Sequence, residues 1–410
     1  MAEKQNYDII IVGGGLVGAS LAGALGTTSL RVAIIEAAPW FTDTRPPSYD
    51  DRVIALSYAS YRIFQGLGIW DQIAPAATAI KHIHVSDQGQ LGFTRLDSKI
   101  LEIPALGYVV SARHLGQVLQ KTLAPLPVDI LAPALLSQIR YQNEGLEIQL
   151  KLDNQPHTLQ TRLLVAADGG HSQVRQQLGF TTHETDYKQT AVIANVTLEH
   201  CHQNTAYERF TPSGPLALLP MQHHNCSLVW TIARTQTNEV MELDDDSFLS
   251  SLQRQFGWRL GRFMQVGQRH AYPLHLIRVQ KSVYPRVVII GNAAHTLHPV
   301  AGQGLNLGLR DVASLAEAIV ESLRLGNDLG NEAILQRYAA WQQSDQQAIT
   351  TLTDGLVRGF SNKFLPLVVA RNLGLLITDA LPFLKKRLVR QMAGLNGHPS
   401  RLVRGLPLIN

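Results

Sequence analysis

Cysteine is nearly absent. Cys201 and Cys226 are the only two in 410 residues, and they form neither a C-x-x-C pair nor a disulfide framework. That excludes the redox-active disulfide of pyridine-nucleotide disulfide reductases, and a reducing, cytoplasmic compartment is expected. Charged residues are sparse, at 17% against 45% hydrophobic, so the chain is an ordinary globular one with enough apolar mass for a large core. No charge-free apolar run of about 20 residues occurs, so no membrane span is expected. The longest apolar stretch, 364–384, is interrupted by Pro366, Arg371, Asp379 and Pro382. The opening apolar run ends in glycines after a few residues, too short for a signal sequence. There is no P-loop, no G-x-S-x-G elbow, no internal repeat and no low-complexity segment. His295 and His298 stand H-x-x-H with no evident third ligand, so no metal is expected.

Net charge is +4, and its basic share is concentrated at one end. From Leu381 to Asn410 there are six basic residues (Lys385, Lys386, Arg387, Arg390, Arg401, Arg404) and no acid. The body is therefore not a nucleic-acid binder. The tail points to contact with an acidic surface, lipid or protein; a merely solvated tail is the competing reading.

Glycine is placed deliberately. The run Tyr7–Val12 reads as a buried strand, Gly13-Gly14-Gly15-Leu16-Val17-Gly18 follows, and a helix then leads to a second strand ending in Glu36. This is G-x-G-x-x-G in a β-α-β frame with an acid beyond it. Gly13 makes the tight turn, Gly15 lets backbone approach a pyrophosphate, Gly18 permits close helix–strand packing, and Glu36 suits ribose hydroxyls. A glycine-rich turn without nucleotide is the bland alternative. Only one such motif is present, so a second nucleotide would visit a shared cleft.

Two further strand ends carry the same logic. Leu163–Ala167 reads as a buried strand followed by Asp168-Gly169 and then Ser172, Val174 and Arg175. Val287–Ile290 reads as another, followed by Gly291–Asp311, GNAAHTLHPVAGQGLNLGLRD, and then a helix through Leu323. Between strand and helix stand Pro299 and Gly302-Gln303-Gly304, where open backbone and a helix N-terminus suit an anionic ring edge or a phosphate. Between these pieces, 191–230 is β-rich with turn signals, which predicts an antiparallel sheet. Leu216–Pro220 is read there as a pocket wall or plain sheet core. Beyond Leu325 the chain reads as helical. Leu365, Val368, Val369, Leu373, Leu376, Ile377, Ala380, Leu381, Leu384 and Leu388 are expected to form one continuous apolar seam. It serves either membrane, partner or lipid substrate, or packing on the body.

The three pieces together resemble the fingerprints of class A flavoprotein monooxygenases. The strings DDRVIALS, HIHVSDQGQLGF, ERFTPSGPLALLPM and GNAAHTLHPVAGQGLNLGLRDV narrow the resemblance to the ubiquinone-biosynthesis hydroxylases, over about residues 7 to 375. The resemblance implies an α/β protein with a p-hydroxybenzoate-hydroxylase-like, Rossmann-type FAD-binding domain, an inserted antiparallel β-sheet substrate domain and C-terminal helices. The boundaries expected are 1–78, 100–182 and 280–330 for the FAD domain, 79–99 and 183–279 for the substrate domain, and 331–410 for the helical region. It further implies FAD as cofactor and NAD(P)H as transient co-substrate. Gly13, Gly15, Gly18, Glu36, Arg52, Arg113, Asp168, Gly169, Asn292, Pro299, Gly302, Gln303, Gly304, Leu305 and Asn306 are the implied cofactor-binding residues. Asn292 stands where the wider class carries aspartate. The implied reaction is hydroxylation of a polyprenylated methoxyphenol with O₂ through a flavin C4a-hydroperoxide. Sister hydroxylases acting on another ring carbon remain open, as does a non-catalytic flavin-binding scaffold subunit. No catalytic side chain is nominated, an oligomer is left open, and a peripheral seat at the inner face of a membrane is consistent with the tail.

Overall fold

The computed structural model describes residues 5–40, 53–360 and 364–409. Its first sheet has eight strands. Five are parallel neighbours, in the order Val287–Ile289, Gln155–Ala166, Gln5–Val12, Val32–Ile35 and Val128–Leu131. Ile9, Ile10, Ile11, Ile34, Leu164 and Val288 are fully buried, as continuous apolar runs must be when both faces of a sheet are covered. Leu16–Leu25, Ala112–Leu123 and Gln303–Arg324 supply one of those covers. The strand Leu146–Leu152 turns back antiparallel on Gln155–Ala166 through Asp153 and Asn154, both at positive φ.

Among the described residues the second sheet has nine strands, centred on Thr182–Leu198 and built from 205–233 and 263–279 together with the hairpin His82–Asp87 and Phe93–Asp97 and the short strand His295–Thr296. Period 2 decides its two faces. Leu216, Leu218, Leu228 and Trp230 pack with Phe248, Leu252 and Phe256 of helix Asp245–Phe256. Ala217, Leu219 and Val229, one residue out of phase, point to the opposite side and line a cavity. Both readings of Leu216–Pro220 are therefore correct, for alternate residues. A three-stranded sheet, Val53–Ser57, Gly107–Ser111 and Thr78–Ile80, offers Val53, Ile54 and Ala55 to the same cavity.

The C-terminal seam is corrected by the structure. Helix Leu365–Ala380 stops at Leu381, which is extended (φ −100°, ψ 109°), and Pro382–Met392 leaves at 98°. Pro382 causes the break: it has no N–H to donate, and its ring pushes the preceding residue out of helical geometry. No single helix among the described residues is long and apolar enough to cross a membrane.

Candidate active site

The three glycine-bearing motifs leave the carboxyl ends of three adjacent parallel strands: Gly13 follows Val12, Asp168 follows the strand ending at Ala166, and Gly291 follows the strand ending at Ile289. Ligands of open α/β sheets bind outside those ends. Backbone bonds continue the ladder past the strands: Ala167 N donates to Val12 O (2.8 Å) and Ile290 N to Ala166 O (2.9 Å). At Gly13 φ is +100°, and a Cβ would lie 2.4 Å from Ala167 O; at Gly18 it would lie 1.9 Å from Gly13 O. Neither position tolerates a side chain. At Gly15 and Gly304 the opposite holds, because nothing stands within 4 Å of an added Cβ; Gly169 has the same open space but a φ of +79°, which favours glycine. All three open on one cavity of about 910 Å³.

Two helix N-termini also open there. Leu16–Leu25 begins after Gly15 and Gln303–Arg324 after Gly302, each with no side-chain cap and no acid in its first turn. Uncapped N–H groups at an acid-free helix start carry partial positive charge and favour an anion. Gly302 reaches its turn at φ +58°, where glycine escapes the Cβ clash, and its N–H donates to Pro299 O (2.9 Å).

The second motif can be explained residue by residue. Asp168 Oδ2 accepts from Val174 N (3.2 Å), Ser172 Oγ accepts from Arg175 N (3.0 Å), and Val174 is core. Arg175, 6% exposed, donates to Ala293 O (2.9 Å) and Gly170 O (2.6 Å), tying this motif to the third. Asp168 Oδ1 is buried with no partner among the described residues, an acceptor left for a ligand donor.

Of the predicted residues, Gly15, Gly169, Asn292, Pro299, Gly302, Gly304 and Leu305 lie on the cavity wall. Glu36 stands at the outer end, its Oε2 accepting from Gly14 N (2.6 Å) and its Oε1 from Ala38 N (2.8 Å). Arg113 is half-buried in the first turn of its helix, next to Ala112 on the wall, and Ser111 caps that turn by accepting from His114 N (3.1 Å). Arg52 lies outside the described residues. Gln303 and Asn306 are 2% and 1% exposed and stand behind the wall. Asn306 Oδ1 accepts from Ser57 N and Ser60 Oγ (2.7 Å each), while Nδ2 donates to Ala55 O (2.8 Å) and Gly302 O (2.7 Å). An amide has four hydrogen-bonding places and all four are filled, so the Asn306 side chain fixes the Gly302 turn.

Sequence reasoning passed over Tyr207, Glu208, Tyr272 and Arg371 and read His298 as a loop residue of the flavin-facing stretch; all five line the cavity. The strand residues had a signal in period 2; Arg371 had none, since it arrives on a C-terminal helix. His298 Nδ1 accepts from Val300 N (3.1 Å), and burial lowers its pKa to about 4, so at neutral pH the ring is uncharged with its proton on Nε2. That Nε2 is buried and has no partner among the described residues.

The cavity then leaves the flavin-type cradle and runs between the second sheet and the C-terminal helices. Ile83, Leu96, Ile193, Leu219, Phe360 and Leu375 are among its walls. The group these residues fit is FAD. Two uncapped helix starts, Cβ-free backbone at Gly15 and Gly304, and an unpaired acceptor at Asp168 suit its pyrophosphate, the electron-rich carbonyl edge of its ring and its donors.

Comparison with known proteins agrees. A family model described as an FAD binding domain matches residues 6–352. The chain is 38% identical to ubiquinone hydroxylase UbiL of Rhodospirillum rubrum, covering 98% of this chain and 93% of that protein. It is 31% identical to 3-demethoxyubiquinol 3-hydroxylase of Escherichia coli, covering 96% and 100%. The fold is that of p-nitrophenol 4-monooxygenase PnpA of Pseudomonas putida, with TM-score 0.79 at 18% identity over 96% of this chain and 99% of that one. The fold, the cradle and these relatives converge, and the chain belongs to the FAD-dependent monooxygenases of the ubiquinone-hydroxylase family.

Proposed function

We propose that this monooxygenase hydroxylates the ring of a polyprenylated methoxyphenol on the way to ubiquinone, using NAD(P)H and O₂. One observation carries the reading: a single cavity joins the FAD cradle to a long apolar gallery. An aromatic head beside the cradle and an isoprenoid tail in the gallery fill both parts.

When bound, FAD takes electrons from NAD(P)H and activates O₂ for insertion into an electron-rich ring. The chain supplies the rest. Backbone N–H groups of Gln303, Gly304 and Leu305 would hold the electron-rich edge of the flavin ring, while Asn292 and Asp168 would serve the polar chain and Gly15 the pyrophosphate. Glu36 would take the ribose, with Arg113 as a cationic neighbour of the cofactor. The apolar walls exclude water from the reacting atoms. The Nε2–H of His298 is the donor we assign to the substrate's phenol oxygen.

A second reading is favoured by one relative. The 31% identity to a 3-demethoxyubiquinol 3-hydroxylase supports action on a different carbon of a similar ring. Mass spectrometry of the quinone precursor that accumulates when the chain is deleted separates the two by the ring position left unhydroxylated. If no under-hydroxylated prenyl ring accumulates, neither reading survives.

A further inference from the structure

Helix Leu365–Ala380 is docked along one side only. Arg371 Nε donates to Asp87 Oδ2 (2.7 Å), and Thr94 Oγ1 donates to Leu375 O (2.6 Å). Gly92 N donates to Asn372 Oδ1 (2.9 Å) and Arg95 N to Asp379 Oδ1 (2.8 Å). These bonds fix the helix on the hairpin 82–97. Its other side is apolar and bare: Val369, Leu373 and Ile377 are 52%, 52% and 48% exposed. At the ends, Phe364 is 64% and Phe383 67% exposed. A contiguous patch of this kind, rimmed by polar residues, marks an interaction surface.

Charge says what covers it. The 98° turn at Pro382 brings in a helix carrying Lys386 and Arg387, both exposed and without an ion-pair partner among the described residues. No acid follows Asp379 anywhere in the chain. An apolar helix face beside unneutralised cations is the pattern of helices lying in a bilayer interface with anionic lipid. Two copies of this chain meeting through the same patch would bring these cations together, which opposes self-association.

The cavity opens at the same place. Gly374 and Thr378, one turn apart on the docked helix, line it, and Gly374 is exposed. Leu388 and Met392 of the second helix close the other side of the mouth. We propose that the corner between helices 365–380 and 382–392 docks on an anionic lipid surface, with the mouth at Gly374 turned to the lipid. An isoprenoid-tailed substrate then enters sideways from the bilayer without its tail crossing water, a crossing that costs about fourfold in partition per CH₂. Docking stands on exposure and charge; only the cargo rests on the function proposed above.

Vesicle flotation of the full-length, FAD-loaded protein tests this, with phosphatidylcholine vesicles with and without phosphatidylglycerol. The expected result is flotation that depends on phosphatidylglycerol and falls with salt. It should weaken about fivefold or more per residue in Lys386→Glu/Arg387→Glu and about tenfold or more in Leu373→Ser/Phe383→Ser. Both variants should keep their flavin spectrum, melting temperature and turnover of a short-tailed, water-soluble phenol. Absence of flotation, equal flotation by the variants, or a concentration-dependent dimer abolished by Leu373→Ser would overturn the proposal. If the wild type floats as expected but oxygenates no phenol, the docking stands and the functional reading falls.

Discussion

His295 Nε2 lies 2.6 Å from Asp311 Oδ2, and both side chains are essentially closed to solvent. The same oxygen accepts from Gly291 N (3.0 Å), and Oδ1 accepts from Gln346 Nε2 (3.1 Å). One carboxylate therefore locks the two ends of the flavin-facing stretch to each other and to helix Glu332–Phe360. Asp311→Ala leaves two buried donors, Gly291 N and His295 Nε2, and the half-buried Gln346 amide without their acceptor. It is expected to cost about 3 kcal/mol of stability and to lower flavin retention, read as a fall in melting temperature and in the flavin-to-protein absorbance ratio.

Asn306 gives a second test of the same scaffold. Asn306→Asp keeps the shape but replaces two donors with an oxygen facing Ala55 O and Gly302 O. The Gly302 turn should then loosen, and the Kd for FAD, titrated on apoprotein, should rise about tenfold or more. An unchanged Kd would show that the turn holds without its clamp.

Gly15 and Gly18 should behave oppositely. A Cβ at Gly15 enters open cavity, so Gly15→Ala is expected to leave the apoprotein melting temperature alone and weaken FAD binding. A Cβ at Gly18 strikes the Gly13 carbonyl, so Gly18→Ala should lower the melting temperature of the apoprotein itself. Thermal shift with and without FAD separates the two effects.

The buried histidines set an acid limit. Burial lowers His298, and also His84, from 6.5 to about 4. Between those values the unfolded chain binds protons that the folded chain refuses, so stability rises with pH. The favourable difference is fully present above about pH 6.5 and is lost as pH falls towards about 4. His298→Gln removes one of these groups, and its melting temperature should fall less steeply than the wild type's across that interval.

How much of this was legible in the sequence varies by segment. The β-α-β turn at Gly13–Gly18 and the apolar runs before Asp168 and Gly291 are local patterns, and local geometry decides them. Their meeting on three adjacent strands is also foreshadowed, since each run reads as a buried parallel strand. The side chains of Gln303 and Asn306 stand off the cavity wall because a helix start turns only some side chains toward a ligand. Spacing alone does not say which residues face inward. Arg371 joins the cavity through tertiary contact with Asp87, nearly 300 positions away in the chain. The single C-terminal seam failed for a local reason, Pro382, which hydrophobic periodicity overlooked.

Gly374 offers a test of the gallery. An added side chain there meets nothing within 4 Å, so Gly374→Phe should fold and crowd the mouth. The KM for a long-tailed phenol should rise at least several-fold relative to the wild type, while kcat changes less. Equal KM changes for long- and short-tailed substrates would show that the tail takes another route.

The most direct measurement is the stoichiometry of turnover. Purified, FAD-loaded protein is supplied with NAD(P)H, O₂ and a prenylated methoxyphenol, and both NAD(P)H consumed and hydroxylated product are counted. The account predicts oxidation accelerated by the phenol, with hydroxylated ring formed in near-equal amount. Oxidation indifferent to the phenol, or a phenol recovered without added oxygen, would contradict it.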